Sequence, residues 1–309
     1  MSVEGALADA LGRARPWLWA LAYRLTGSTA DADDVVQETL ARTLAAPPRG
    51  ELRPWLVRVA VNLGRDELRR RRRARYVGPW LPSPLPTDEP PSAEPLDLAP
   101  DSEARYSLLE SVSVAFLLAL EALTPAQRAV LLLRDVFDLS VREVATALGL
   151  TEGNIKVVHH RARARMASYE AARLPLDSAL RDSTRATLEA FLGSLASGDA
   201  EAAARLLAAD VRVESDGAGE FVAALRPVVG RERALRFLLA LTRKTTLSSS
   251  AIRELNGLPA LVADVADRPA RWAPRLTLAV ELDGAGRISA VRIVLAQRKL
   301  AAVRAPTGV

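Results

Sequence analysis

Apolar residues recur every three to four positions through roughly the first 75 residues and again from about 106 to 173, the spacing of one buried face on an α-helix. Residues around Ala6 to Leu25 put Trp17, Leu21 and Leu25 at four-residue steps, a core stripe. After Gly27, Ser28 or Thr29 caps a helix from Ala30 to Ala45, with Asp31, Asp33 and Asp34 at the positive end of its dipole. Pro54 suits the first turn of a third helix whose inner side is Leu56, Val59, Ala60 and Leu63. Residues 107 to 123 read as one amphipathic helix, and Thr124-Pro125 opens the next. Beyond Leu174-Pro175 the texture changes. Helices over Ser183 to Ser197, Ala200 to Ala209 and Gly230 to Thr242 surround a strand at Val211 to Glu214. Strands follow over Leu247 to Leu255, Leu258 to Val265, Trp272 to Leu282 and Arg287 to Leu295, which predicts an α+β domain.

The segment from Leu139 to Arg165 specifies a task. Ser140 caps a short helix with Val141, Val144, Ala145 and Leu148 on its apolar side, and Gly149 supplies a sharp turn. Thr151 caps a second helix. Ile155, Ala162 and Met166 share its inner face, with Val158 and His159 at the edges and His159 assigned to packing. Gly153, Val157, His160, Arg161 and Ala164 face outward, flanked by Asn154 and Lys156. Two helices about a glycine turn, the second basic outside, form the helix-turn-helix pattern that lays a recognition helix in the major groove. An ordinary helical hairpin with a solvated basic face has the same spacing. In the third helix Arg58, Asn62, Arg65 and Arg69 share an exposed stripe, and the run Arg69 to Arg73, with Arg70, extends it. Arginine with asparagine at that spacing suits phosphate contact plus base-edge hydrogen bonding.

Composition sharpens this picture. At 309 residues the chain exceeds what one core serves. The formal charge is +5, and the arginines between Arg65 and Arg75, set against Asp66 and Glu67, hold all of that excess. Prolines 79, 82, 84, 86, 90, 91, 95 and 100, among Asp88, Glu89, Glu94 and Asp97, mark Val77 to Asp101 as a stiff linker without helix or sheet of its own. Its Trp80 is expected to dock on a folded domain. Cysteine is absent, which excludes disulfides and cysteine-ligated zinc. The apolar run after Pro16 is broken by Arg24, so no signal or membrane span is expected and a cytoplasmic location follows.

The blocks DADDVVQET, PWLVRVAVNLGRDELRRRRR and LTPAQRAVLLL, followed by the helix ending IKVVHHRARARM, resemble an extracytoplasmic-function sigma factor of bacterial RNA polymerase, over nearly all of residues 10 to 170. The part after Ser178 is similar to SnoaL-like domains, cone-shaped folds fused to one branch of that family. The resemblance implies a multidomain chain: an all-α sigma domain 2 over 1–76, an acidic linker over 77–105, an all-α sigma domain 4 over 106–173, and an α+β cone over 178–305. It implies that Asp34, Val35, Gln37 and Glu38 grip the clamp of the polymerase's largest subunit. Arg58, Asn62, Arg65, Arg69 and Arg70 would hold the unpaired minus-ten strand. Asn154, Lys156, Val157, His160 and Arg161 would read the minus-thirty-five duplex, with Arg163 and Arg165 on phosphate. The acidic linker would run through the polymerase's RNA exit path. Two motifs of that branch, WLPEP and DGGGK, stand here as Trp80-Leu81-Pro82-Ser83-Pro84 and Asp216-Gly217-Ala218-Gly219-Glu220, so Trp80, Leu81, Pro82, Asp216, Gly217 and Gly219 become the expected regulatory contact. Ser83 replaces the acid of the first motif and Glu220 the lysine of the second.

Residues 174 to 309 hold no His, Tyr or Cys, and nothing in the sequence sets two of Asp210, Glu214, Asp264 and Glu281 across one pocket. The cone is therefore expected to regulate rather than catalyse, with no cofactor or metal, and with room for a small ligand. It is expected to hold the two DNA-binding units in a fixed arrangement until polymerase binds. The partners expected are core polymerase and promoter DNA, and the free chain is expected to be a monomer. The alternative is a ligand-gated helix-turn-helix regulator that never engages polymerase. A third reading, an enzyme with a DNA-binding leader, makes Asp216 the base.

Overall fold

A computed structural model describes residues 3–74, 76–88, 105–267 and 269–306. Linker positions Glu89, Pro90, Pro91, Glu94, Pro95, Asp97 and Pro100, and Arg75 of the basic run, lie outside the described residues. The chain divides into two compact units, the first formed by Met1–Arg75 with Pro90–Ala172 and the second by Tyr76–Glu89 with Arg173–Val309.

The first unit is helical. Helices α1 (Val3–Thr26), α2 (Thr29–Ala45) and α3 (Leu52–Arg73) pack around Leu18, Leu21, Leu25, Val36, Leu56 and Val61. Ser28 is the cap of α2, accepting from the Asp31 amide at 3.2 Å. Gly64 lets α3 approach α1 closely, because a Cβ there would lie 2.3 Å from a Leu25 methyl. The amphipathic stretch 107–123 is broken rather than continuous. A 3-10 turn, α4 (Val114–Ala119) and a second 3-10 turn share it, since Ser113 caps the Phe116 amide and restarts the helix. Helix α5 (Pro125–Asp135) begins with a Thr124–Gln127 capping box and buries Ala129 to Leu133 in succession, the mark of a central helix. Helices α6 (Val141–Leu148) and α7 (Glu152–Ala172) follow. Ser140 and Glu143 form the capping box of α6, and Gly149 ends it at φ 64°, the left-handed conformation that glycine adopts freely. Tyr106, Phe116 and Tyr169 form an aromatic cluster with centroids 4.9 to 6.3 Å apart.

The second unit is α+β. Helix α8 (Ser178–Ser197) starts earlier than the apolar pattern suggested, because Asp177 caps it. Helices α9 (Ala200–Leu206) and α10 (Arg231–Thr242) flank a six-stranded sheet of order β2-β1-β6-β5-β4-β3. Its strands are β1 (Leu207–Asp216), β2 (Val228–Val229), β3 (Thr246–Leu255), β4 (Leu258–Ala266), β5 (Arg275–Leu282) and β6 (Ile288–Val294). β1 and β6 run parallel and the other pairs antiparallel. Phe191, Leu195, Val211, Val213, Leu238, Val280 and Val291 fill the space between helices and sheet. Ala208 and Ala209, expected in a helix, belong to β1, and the two-residue β2 had no visible pattern. The linker differs from expectation as well. Residues 76–88 belong to this unit, and Pro86 forms an antiparallel bridge with Leu255, so the segment does contribute to the sheet.

Candidate nucleic-acid interface and the Asp216 cluster

In α2, Asp34, Gln37 and Glu38 are exposed, and Glu38 pairs with Arg42 at 2.7 Å. Val35 does not share that surface. At 5 % exposure it belongs to the inner stripe with Val36 and Thr39, where an apolar β-branched side chain gains by leaving water. It is removed from the expected polymerase-binding set.

The α3 stripe is split. Asn62 and Arg69 are exposed, Arg65 is half-buried, and Arg69 and Arg70 fold onto Asp66 and Glu67. Burial, then the nearby Arg69 charge, lowers the Arg65 guanidinium from its ordinary value. Arg58 donates from Nε to the Ala147 carbonyl (2.9 Å) and from Nη2 to Thr146 (2.6 Å), the carbonyls that end α6. A helix C-terminus with unsatisfied carbonyls is a natural cation acceptor. The arginine run does not act as one electrostatic block either. Arg71 turns to the Thr26 carbonyl and Glu121, and Arg72 to the Leu123 carbonyl. Glu121 also receives the fully buried Arg128 at 2.6 Å, and Arg128 donates to the Leu25 carbonyl. Burial opposes the Glu121 charge, yet Arg128 and Arg71 together hold its carboxyl below the usual range.

Helix α7 presents Asn154, Lys156, Val157, His160, Arg161, Arg163 and Arg165 to solvent while Ile155, Ala162 and Met166 are buried. Arg165 also donates to the Ala122 carbonyl at 2.8 Å. His159 is partly buried with Nε2 2.7 Å from Asp135, the packing role assigned to it. A cationic helix face of this kind offers phosphate contacts along its length and base-edge donors near its start.

In the second unit Asp216 is wholly buried at the end of β1. Its carboxylate accepts from the Tyr76 hydroxyl (2.5 Å), the Leu81 amide (2.8 Å), the Ala218 amide (3.1 Å) and the Lys299 ammonium (2.6 Å). Lys299 also donates to the Leu81 carbonyl and lies 4.5 and 4.8 Å from the Trp80 and Tyr76 ring centroids, a two-sided cation–π seat. Leu81 and Pro82 are buried, and Gly217 admits no side chain, since a Cβ would meet the Phe221 carbonyl at 2.6 Å. Gly219 has φ 77° beside Val77. Glu220 is exposed, and the cation that reaches Asp216 is Lys299. Sequence reasoning missed Lys299 and Tyr76. One signal existed: lysine occurs only at 156, 244 and 299 in a chain that otherwise uses arginine, and a compact ammonium fits where a planar guanidinium does not.

Comparison with known proteins identifies the family. Residues 11–74 match the family model described as Sigma-70 region 2, and residues 113–166 match Sigma-70, region 4. The ECF RNA polymerase sigma factor SigJ of Mycobacterium tuberculosis is 32% identical over 283 residues, covering 87% of this chain and 86% of that protein. This chain belongs to the extracytoplasmic-function sigma factors. A probable sigma factor of the same family, SigI of M. tuberculosis, is 29% identical over 95% of this chain and 94% of its own length. The crystal structure of M. tuberculosis SigJ superposes with a TM-score of 0.68 at 25% identity, covering 96% of this chain and 98% of that one. Sigma factors bind core RNA polymerase and promoter DNA, and this one carries a C-terminal SnoaL-like α+β domain. Among the described residues no helix is long and apolar enough to cross a membrane.

Proposed function

We propose that this sigma factor engages the polymerase clamp through Asp34, Gln37 and Glu38, and unpaired minus-ten DNA through Asn62, Arg65, Arg69 and Arg70, with Arg58 joining once it leaves α6. The outer face of α7, from Asn154 to Arg165, reads the minus-thirty-five duplex. The observation that carries this reading is the division of α7 into a buried apolar side and a continuous cationic side behind a glycine-turned α6. Runoff transcription with purified core polymerase tests it. Charge reversal at Asp34 and Glu38 is expected to abolish co-purification with the polymerase, and Arg161→Ala is expected to lower promoter discrimination while leaving that association intact. Retained association after the charge reversal would remove the clamp assignment.

The same reading makes the SnoaL-like domain a regulator that works through the linker. Asp216 supports this: its carboxylate is enclosed by Tyr76, the Leu81 and Ala218 amides and Lys299 at 0 % exposure, which leaves it no face for a substrate. The first unit adds a second restraint, because Arg58 cannot hold both a melted strand and the α6 carbonyls. Opening both restraints is then part of holoenzyme assembly, and Lys299→Met is expected to change promoter-dependent runoff.

A further inference from the structure

Helix α10 buries Ala234 and Leu238 in the core of the second unit. At 3.6 residues per turn its opposite side collects Arg233, Arg236, Ala240, Arg243 and Lys244 within an arc of about 100°. The last two carry the helical path past Thr242, since the Arg243 amide donates to the Leu239 carbonyl at 3.1 Å and the Lys244 amide to Leu241 at 3.0 Å. All of these residues are exposed, and among the described residues none of the cations is paired with a carboxylate. The other helices of the unit are built differently. α8 sets Arg181 and Arg185 among Asp182 and Glu189, and α9 pairs Arg205 with Glu201 at 2.9 Å. In α10 the acid is Glu232, at the margin of the stripe.

The helix itself does not explain these charges. Its dipole favours cations in the last turn, which accounts for Arg243 and Lys244, and disfavours them in the first turn, where Arg233 sits. A solvated face ordinarily mixes signs at four-residue spacing, and this one does not. The stripe also lacks what a protein partner uses. Ala240 is its exposed apolar residue and Phe237, at its edge, packs against the core, so no aromatic or long apolar anchor is offered. Exposed cations without an anchor suit a regular row of phosphates. We propose that this face of α10 binds duplex DNA. From Arg233 to Lys244 the helical path rises about 16 Å, enough to follow phosphates over about five base pairs. Phosphate contacts position the duplex and carry no sequence information. The surface stands on α10 alone; that the duplex lies beside the promoter elements rests on the function proposed above.

Fluorescence anisotropy of the full chain on a labelled duplex of arbitrary sequence, at salt from about 0.05 to 0.2 M, tests the surface. One variant combines Arg233→Gln, Arg236→Gln, Arg243→Gln and Lys244→Gln. A control combines Arg205→Gln, Arg212→Gln, Arg226→Gln and Arg287→Gln, exposed arginines elsewhere on the same unit. Loss of the stripe is expected to flatten the slope of log affinity against log salt by about 3.6, so that across this range the wild type loses roughly a hundredfold more affinity than the variant. The control is expected to keep the wild-type slope. Arg233→Gln alone is expected to flatten it by about one, with a melting temperature no lower than the wild type's because a cation leaves the first turn. Arg161→Ala in α7 is expected to flatten it by no more than about one, which keeps failure of the recognition-helix assignment distinct from failure here. Absent binding by the wild type, an unchanged slope in the stripe variant, or an equal fall in the control overturns the surface. A fall on single-stranded RNA that the duplex does not show assigns the stripe to RNA and overturns the proposal. An unchanged duplex slope with weakened co-purification of core polymerase assigns it to an acidic protein and does the same.

Discussion

Each unit is tied by a carboxylate that gathers distant segments, and the two ties are built on opposite plans. Glu121 serves two guanidiniums, Arg71 and Arg128, and remains one-third exposed. Asp216 serves one ammonium, a hydroxyl and two backbone amides, and is wholly enclosed. The Glu121 tie carries an excess of positive charge, and its carboxylate is open to water and salt. The Asp216 tie is neutral as a pair and sealed. Sealing removes the solvent that would otherwise replace a lost partner, so the second tie should fail abruptly and the first gradually.

Removing a partner from the sealed tie is the largest expected effect. Lys299→Met leaves a buried carboxylate without its cation and should cost about 3 to 5 kcal/mol in the cone's unfolding transition, read by calorimetry on the full chain. Glu121→Gln should cost less, about 1 to 3 kcal/mol, because the amide keeps an oxygen that accepts from Arg71 and the buried Arg128 and the group replaced is one-third exposed. Raising salt from about 0.05 to 0.5 M should shrink that difference and leave the Lys299 effect nearly unchanged. Equal salt sensitivity of the two would erase the contrast. Tyr76→Phe deletes one hydrogen bond to Asp216 and should cost about 1 kcal/mol, measured in the same transition. The smallest effect concerns Glu170, which the Arg105 hydrogen bond, against some burial and with help from Tyr106, holds down at about 2. A carboxyl lowered from its ordinary 4.5 binds its proton less readily in the folded chain than in the unfolded one. Its contribution is whole above about pH 4.5 and fades as the pH falls toward 2. Glu170→Gln should flatten that part of the melting-temperature profile.

The helix-turn-helix was legible because its signals are local: Ser140 with Glu143, Gly149, and apolar residues at helical spacing with arginines opposite. The α+β class of the second unit was legible from the change of period alone. What escaped depends on partners far away in the chain. Helical spacing gave no means of telling Arg69, which stays outside, from Arg71 and Arg72, which turn to Thr26, Glu121 and Leu123. Val35 follows the acidic cluster of Asp31, Asp33 and Asp34, and only the packed neighbours reveal that it points inward. The break at Ser113 was hidden because Val112, Phe116, Leu117 and Leu120 keep an unbroken helical rhythm across it. Lys299 and Tyr76 lie 223 residues apart and meet only because the linker docks.

Residues 76–88 cover apolar surface that belongs to the cone, with Leu81 at 1 % exposure and Pro82 and Pro84 buried beside it. The module is thus sewn from two stretches of sequence, and a scissor cut at residue 178 yields neither half intact: one piece bears a bare greasy ribbon, the other a raw groove. Recombinant versions meant to isolate it should carry the ribbon along, for instance by permuting the gene so that codons 76–88 follow codon 306 across a short glycine–serine bridge. Truncations that ignore this seam will report the stickiness of uncovered surface rather than the biology of its removal.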